Sequence, residues 1–328
     1  MSASYAIGID IGGTKVLGGL VDEGGRIVHR ARRDTPDRSK SPRVVEDTIV
    51  SVVDELRAHA ADPGGHVSGE VSAVGIGAAG FVGADMATVV FAPHLSWRNE
   101  PLRDALTHRV GLPIVVDNDA NAAAWAEWRF GAARGETHLV MITLGTGIGG
   151  GLLIDGALHR GKFGIAAEFG HMQVVPDGHR CECGNRGCWE QYASGNALVR
   201  EARSMIAAQS PVAADLAVRA QEAGGLTGPL ITEAAKAGDP TARELLAEVG
   251  HWLGVGIANI AAALDPGRFV IGGGVSAAGE LLIEPARDTF RRKLTGRGYR
   301  PEALVVAAAL GNDAGLIGAA DLARSTTR

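Results

Sequence analysis

An excess of positive charge is missing from this chain of 328 residues: 32 Lys and Arg stand against 37 Asp and Glu, a net charge of −5. With a pI near 6.1, no basic field exists to hold a nucleic acid or an anionic membrane, and neither is expected as a partner. Long apolar runs are missing too. The longest nearly uncharged stretch, Leu253 to Leu264, falls short of the ~18 residues a membrane span needs. Met1 to Asp10 lacks the basic stretch before an apolar run that marks a leader. Both absences point to a cytoplasmic protein. Cysteine is scarce: only Cys181, Cys183 and Cys188 occur, and an odd number so closely spaced excludes a disulfide framework.

What is present describes a soluble chain with ample core material, at 46% hydrophobic and 21% charged residues and a mean hydropathy of +0.08. Disorder is excluded as the main state. At roughly 100 to 200 residues per domain the length predicts two domains with a cleft between them. Glycine is abundant, 47 residues, about twice the usual ~7% and without a triplet period, so it serves local backbone geometry rather than a collagen helix.

Hydrophobic periodicity gives the organisation. Tyr5 to Ile11, Val16 to Val21 and Ile27 to Arg33 read as strands, and Val44 to Ala60 as a helix with Pro42 ahead of it and Pro63-Gly64-Gly65 ending it. Val71 to Ala79 and Leu112 to Val116 are further strands. Asp117-Asn118-Asp119 then opens an alanine-rich helix through Phe130, its acidic residues at the positive end. A domain junction is expected there, giving domains 1–118 and 119–311. From Leu139 the pattern restarts as strand, Gly145-Thr146-Gly147 turn, and strand Gly149 to Ile154. Ile9 to Thr14 aligns with Ile142 to Gly147 as a short internal repeat, and both turns are expected to face one cleft. Helices are predicted at Asn196 to Gln209, Val212 to Ala223, Ile231 to Ala237, Thr241 to Leu264, Glu280 to Leu294 and Asp313 to Arg324, with strands at Arg268 to Ile271 and Ala303 to Ala309. The class is α/β.

Two familiar phosphate motifs fail on context. Gly145 to Gly150 satisfies GxGxxG, but a strand follows where a dinucleotide site needs a helix. Gly156 to Lys162 satisfies GxxxxGK, but Phe163 stands where Ser or Thr must reach Mg²⁺. What survives is a pair of turns, Gly12-Gly13-Thr14 and Gly145-Thr146-Gly147, whose bare backbone N–H groups can approach phosphate oxygens; ordinary hairpin glycines are the alternative. Asp10, at the end of a buried strand beside the first turn, fits Mg²⁺ shared with substrate phosphates, the alternative being a turn cap. Gly272-Gly273-Gly274 offers a third close approach.

His171, Cys181, Cys183 and Cys188 make a complete tetrahedral set for structural zinc, against the alternative of reduced thiols and a surface histidine. Glu168 and Glu190 lie beside them in sequence. Carboxylates held rigid by a metal suit a polyhydroxyl ligand; solvated loop charges are the alternative.

The segments Asp10-Ile-Gly-Gly-Thr-Lys15, Asp117-Asn-Asp-Ala-Asn121, Leu144-Gly-Thr-Gly-Ile-Gly-Gly-Gly151, Glu168-Phe-Gly-His171 and Cys181 to Glu190 resemble those of the ROK sugar kinases, and within that family the actinobacterial type of glucokinase. The resemblance spans nearly the whole chain in the expected order. It implies an actin-like ATPase (ribonuclease H-like) architecture of two α/β domains, with the helix in 312–328 returning to the first domain and the zinc segment 171–188 in the second. The cofactors it implies are ATP, Mg²⁺ and structural Zn²⁺.

By the same resemblance Asp119 is the catalytic base toward the sugar 6-hydroxyl, and Asn118, Glu168, Glu190, His171 and Gly80 contact the sugar. Gly80 stands in Ala78-Ala-Gly-Phe81, which departs from the proline-containing form common in the family. Asp10, Gly12, Gly13, Thr14, Lys15, Gly145, Thr146 and Gly147 surround the phosphates and Mg²⁺, with Gly273 and Asn312 to Gly315 near the adenosine. The expected activity is transfer of the ATP γ-phosphoryl to glucose, in a homodimer or homotetramer. Alternatives are fructose, mannose, N-acetylmannosamine or N-acetylglucosamine as acceptor, or a non-catalytic sugar sensor. The repressor branch carries a helix-turn-helix ahead of the first glycine motif, for which Asp10 leaves no room. Asp119 also has a purely structural alternative, the N-cap of its helix.

Overall fold

Ile7, Ile9 and Ile11 alternate with Gly8 and Asp10 along the first strand, and that two-residue period decides what each face of its sheet can bind. The computed structural model describes residues 3–62 and 69–326. Strands β1 (Ala3–Ile11), β2 (Lys15–Val21) and β3 (Ile27–Asp34) form an antiparallel meander. Helix α1 (Pro42–Ala61) follows, with Pro42 inside its first turn rather than ahead of it. The expected stop at Pro63-Gly64-Gly65 lies outside the described residues. Strand β4 (Gly69–Ala78) adds in parallel to β1, and β8 (Ile114–Asn118) in parallel to β4, giving the order β3-β2-β1-β4-β8.

Between β4 and β8 the chain forms a small sheet of β5 (Phe81–Val82), β6 (Val89–Phe91) and β7 (Arg98–Glu100), then α2 (Leu102–Val110). None of these four elements is foreseen by the periodicity. Helix α3 (Asp119–Arg129) starts two residues later than Asp117, because Asp117 and Asn118 complete β8.

The second sheet has the order β11-β10-β9-β12-β13, from β9 (Leu139–Leu144), β10 (Ile148–Ile154), β11 (Ala157–Leu158), β12 (Arg268–Gly272) and β13 (Leu304–Ala307). Its wiring repeats the first: the leading strand lies in the middle, its hairpin partners to one side and two later parallel strands to the other. Helices α4 (Glu190–Ala193), α5 (Gly195–Ala207), α6 (Ala214–Glu222), α7 (Gly228–Lys236), α8 (Pro240–Leu264), α9 (Glu280–Lys293) and α10 (Ala314–Thr326) complete the described chain. The segment from Val212 is not one helix: a 3₁₀ turn at Pro211–Ala213 precedes α6.

The isoleucine face of β1 packs with Val52 and Leu56 of α1 in one apolar cluster, each fully buried side chain contributing about 1.5–3 kcal/mol. The other face is cut flat by glycine. A side chain at Gly8 or Gly75 would strike the backbone carbonyls of Leu316 and Ala319, so α10 lies directly on β1 and β4. α10 also presses Gly318 onto the Ala122 carbonyl of α3, and Asp321 accepts hydrogen bonds from Trp125 Nε1 (2.9 Å) and Arg129 Nε (3.0 Å).

Two compact units result: Met1–Gly135 with Gly151–Ala167 and Ala309–Arg328, and Glu136–Gly150 with Glu168–Ala308. The break falls after Gly135 rather than at 118/119, because α3 is bound to α10 and β4. Helix α8 is long and apolar enough to cross a membrane by length and composition, but 61% of its apolar window is buried in the protein. Gly250 and Gly254 let it meet the backbone of α9, as a core helix does.

Candidate active site

In the first unit the parallel strands β4 and β8 end side by side, with Ala78 paired to Asn118. Asn118 is the N-cap of α3: its Oδ1 accepts from the N–H groups of Ala120 (2.8 Å) and Asn121 (3.1 Å), worth about 1 kcal/mol. Its Nδ2 donates to the Gly80 carbonyl at 3.1 Å, and a side chain at Gly80 would strike the Phe91 carbonyl. Asp119 therefore does not cap the helix. Its Oδ1 accepts from the adjacent Ala120 N–H at 2.9 Å. Asp119 retains accessible surface, yet the protein around it makes ionisation costly: burial first, then the nearby Asp10 carboxylate, raise its pKa from 3.8 to about 7.

Asp10 ends β1 on the α10 side. Burial raises its pKa, an effect that the Lys15 ammonium opposes. Gly315 lies against it; a Cβ there would sit 3.7 Å from the Asp10 carboxyl carbon and 3.8 Å from the Asp119 carbonyl. Gly315 thus adjoins the Asp10 carboxylate, while Asn312 is exposed in the 3₁₀ turn before α10. In the first glycine turn Gly12 N–H donates to the Lys15 carbonyl (3.1 Å), and Thr35 braces the turn through Oγ1 to the Gly12 carbonyl (2.8 Å) and its N–H to the Thr14 carbonyl (3.1 Å). Gly13, Thr14 and Lys15 are exposed.

Two further residues, Arg160 and Glu127, hold this region and are not singled out as site residues by the sequence reading. Asp117 is buried, and Arg160 donates to it through Nε (2.9 Å) and Nη2 (2.6 Å). Glu127, fully buried near the end of α3, accepts the N–H groups of Ala132 (2.7 Å), Ala309 (3.1 Å) and Leu310 (2.7 Å). The only sequence signal for Arg160 is its place within the rejected GxxxxGK match.

In the second unit the Gly145-Thr146-Gly147 turn is braced by the start of α5: Gly195 N–H donates to the Gly145 carbonyl (2.9 Å) and Asn196 N–H to that of Thr146 (3.3 Å). Gly273, at φ 82, fits where a Cβ would lie 2.5 Å from the Leu144 carbonyl oxygen, so only glycine serves there. A side chain at Gly147 would strike the Glu190 carboxylate. Trp189, fully buried, anchors that glutamate by donating from Nε1 to the Trp252 carbonyl at 2.7 Å. Glu168 precedes the 3₁₀ turn Phe169–His171 and accepts the His171 N–H on its carbonyl at 3.1 Å.

The ligand atoms of His171, Cys181, Cys183 and Cys188 lie within 4.8 Å of one another. Tetrahedral zinc with Zn–S near 2.3 Å and Zn–N near 2.0–2.1 Å separates two sulfurs by about 3.8 Å and sulfur from nitrogen by about 3.6 Å. Cys183 and Cys188 Sγ are 3.6 Å apart and Cys181 Sγ is 3.7 Å from His171 Nδ1, so two of the pairs already stand at zinc-like separations, and the donor set of three thiols and one imidazole fits the ion. Burial and the Glu190 carboxylate, which accepts from Cys181 Sγ at 3.0 Å, push the Cys181 thiol up; a divalent cation supplies the charge that thiolates need. All four positions are filled by protein, a closed structural set. Glu190 Oε1 is also 3.5 Å from His171 Nδ1, so the cluster, Glu190 and Gly147 form one contiguous group. Asp10 offers the hard carboxylate oxygen that Mg²⁺ takes, in surroundings that favour a cation.

The profile described as ROK family matches residues 6–326. Over 320 residues the chain is 49% identical to a glucokinase of Streptomyces coelicolor, covering 97% of each. It is 37% identical over 325 residues to a glucokinase of Thermotoga maritima, covering 96% of each. Among solved structures it is similar to a ROK family glucokinase from Streptomyces griseus in complex with glucose and AMPPNP, with a TM-score of 0.87, 51% identity, and 98% of this chain and 99% of that one covered.

Proposed function

Because the chain belongs to the ROK family, with the actin-like sugar kinase fold that its relatives share, we propose that it is an ATP-dependent glucokinase. It transfers the γ-phosphoryl of ATP to the 6-hydroxyl of glucose. The observation that carries this reading is Asp119: a carboxyl at the first turn of α3, beside Asp10, with a pKa near 7, the range in which a base can both be ionised and take a proton.

The 6-hydroxyl oxygen attacks the γ-phosphorus; that P–O bond forms as the bond to the bridging oxygen breaks, and the electron pair leaves on ADP. Asp119 takes the hydroxyl proton. Asn118, held by its cap and by Gly80, orients neighbouring hydroxyls, with Gly80 lining the sugar. Glu168, His171 and Glu190 are assigned to the hydroxyls nearer C1 and C2. Gly12 to Lys15 and Gly145 to Gly147 bring backbone N–H groups and a cation to the phosphates, and Gly273 and Asn312 to Gly315 are assigned to the nucleotide. Asp10 would hold Mg²⁺, which neutralises triphosphate charge. Phosphoryl transfer asks mainly for such positioning and charge compensation. Zinc at His171, Cys181, Cys183 and Cys188 keeps Glu190 in place without entering the reaction. Consumption of ATP fits a cytoplasmic location, and we carry a homodimer or homotetramer as the assembled form.

A coupled assay with ATP across glucose, fructose, mannose, N-acetylmannosamine and N-acetylglucosamine tests the acceptor. The expected result is a kcat/KM for glucose at least ~10-fold above the others; a higher value for any other sugar replaces glucose in this reading.

A further inference from the structure

Phosphoryl transfer through Asp119 makes no direct use of Asp117, although this carboxylate is buried two residues before the base. The carboxylate is 3% exposed and engaged on both oxygens: Oδ1 accepts from Asn118 N–H (2.8 Å) and Asn121 Nδ2 (3.0 Å), Oδ2 from Arg160 Nε (2.9 Å) and Nη2 (2.6 Å). A buried ion is tolerated when its charge is paired and its lone pairs are filled. Both conditions hold. The oxygen that Arg160 grips belongs to the carboxyl whose other oxygen holds the backbone of Asn118 and the side chain of Asn121. Arg160 is itself tied into its loop, its carbonyl accepting Ala166 N–H at 3.0 Å.

We infer that Arg160 is a positioning residue for phosphoryl transfer: its two-point grip on Asp117 fixes the 117–121 turn and so the direction in which Asn118 and Asp119 present their side chains. The inference rests on Asp119 being the base. With Oδ1 held by Asn118 and Asn121, two guanidinium N–H donors converging on Oδ2 complete the fixing of the carboxylate's rotation, a directional hold that a single ammonium does not supply. Misplacing a reacting group by about 1 Å can cost ~10²-fold in rate. A merely structural ion pair would lower Tm and leave turnover per folded molecule unchanged.

The test compares Arg160→Lys, Arg160→Gln, Asp117→Asn and the double variant Arg160→Gln/Asp117→Asn, each assayed well below its own Tm. Amide hydrogen exchange is followed at Asn118, Ala120 and Asn121. The expected result is a kcat lowered ~10- to 100-fold in Arg160→Gln with the KM for ATP nearly unchanged, an intermediate Arg160→Lys, a double variant no worse than the poorer single one, and faster exchange at the three amides. A folded Arg160→Gln with kcat within about twofold of the parent, losses that multiply in the double variant, or unchanged exchange would overturn the inference. Should Arg160→Gln fail to fold, Arg160→Lys and the double variant, which leaves no charge unpaired, decide between the two roles by the same readouts. A parent protein inactive on every hexose would instead strike the kinase reading, and the exchange rates alone would then decide the role of Arg160.

Discussion

The two glycine turns open sheets of the same wiring, yet they are built for different work. In the first, Asp10 precedes the turn and Lys15 follows it, and the backbone is braced from outside by Thr35. In the second, the aligned positions are Thr143 and Ile148, and the turn carbonyls are taken by the start of α5. Only the first turn has a carboxylate in the strand that leads into it. The second instead touches Glu190, and through it the Cys₃His cluster. A repeated backbone plan therefore carries its charge in one copy and its rigidity in the other.

The largest expected effect lies in the first unit. Asp119→Asn should keep glucose binding, followed by calorimetry, while turnover falls ~10³-fold or more. With the parent's pKa near 7, kcat/KM should decline as pH drops through that value. The folded state holds this proton more tightly than the unfolded chain, so the parent loses stability as pH rises from about 4 to about 7 and does not regain it above. Asp119→Asn should therefore melt higher at pH 8, and a lower Tm there would contradict the burial cost assigned to this carboxylate. Next, Asp10→Asn should lower kcat/KM ~10²-fold and raise the Mg²⁺ concentration needed, whereas Thr143→Val at the aligned position should change activity less than about threefold. Equal losses would erase the distinction between the turns.

Cys188→Ser should lose zinc by elemental analysis and melt lower by about 5–10 °C; a metal-free parent of full stability would remove the rigidity assigned to the second unit. The smallest effect separates the substrates. Gly147→Ala pushes on Glu190 and should raise the KM for glucose several-fold, while Gly13→Ala, whose Cβ would sit 3.0 Å from the Cβ of His94, should act on the KM for ATP. An unchanged KM for glucose in Gly147→Ala would show that the push on Glu190 does not reach the sugar.

Much of this was legible from periodicity because strands such as β9 are buried almost throughout and β4 over its last six residues, and they are bounded by glycine or polar turns. β5, β6 and β7 leave no signal in the sequence because runs of two or three residues carry no period. α2 leaves a weak one because its apolar positions, Leu102, Leu106 and Val110, are few among charged neighbours. The zinc cluster is local in sequence, and its four residues do meet. The roles of Asp117 and Glu127 depend instead on partners 43 and 182 residues away, and no local pattern encodes a pairing that only the fold creates. Even the cap of α3 was ambiguous between adjacent residues that share the same preference, Asn118 and Asp119.

The glycine-cut face of β1 has a consequence for biosynthesis. A chain emerging from the ribosome presents Gly8 and Gly75 long before residues 314–326, yet the α10 backbone is what covers them. The second unit has its whole sequence in hand by Ala308. Its core can therefore complete while the first still waits, its sheet open on one side, for its last helix to emerge.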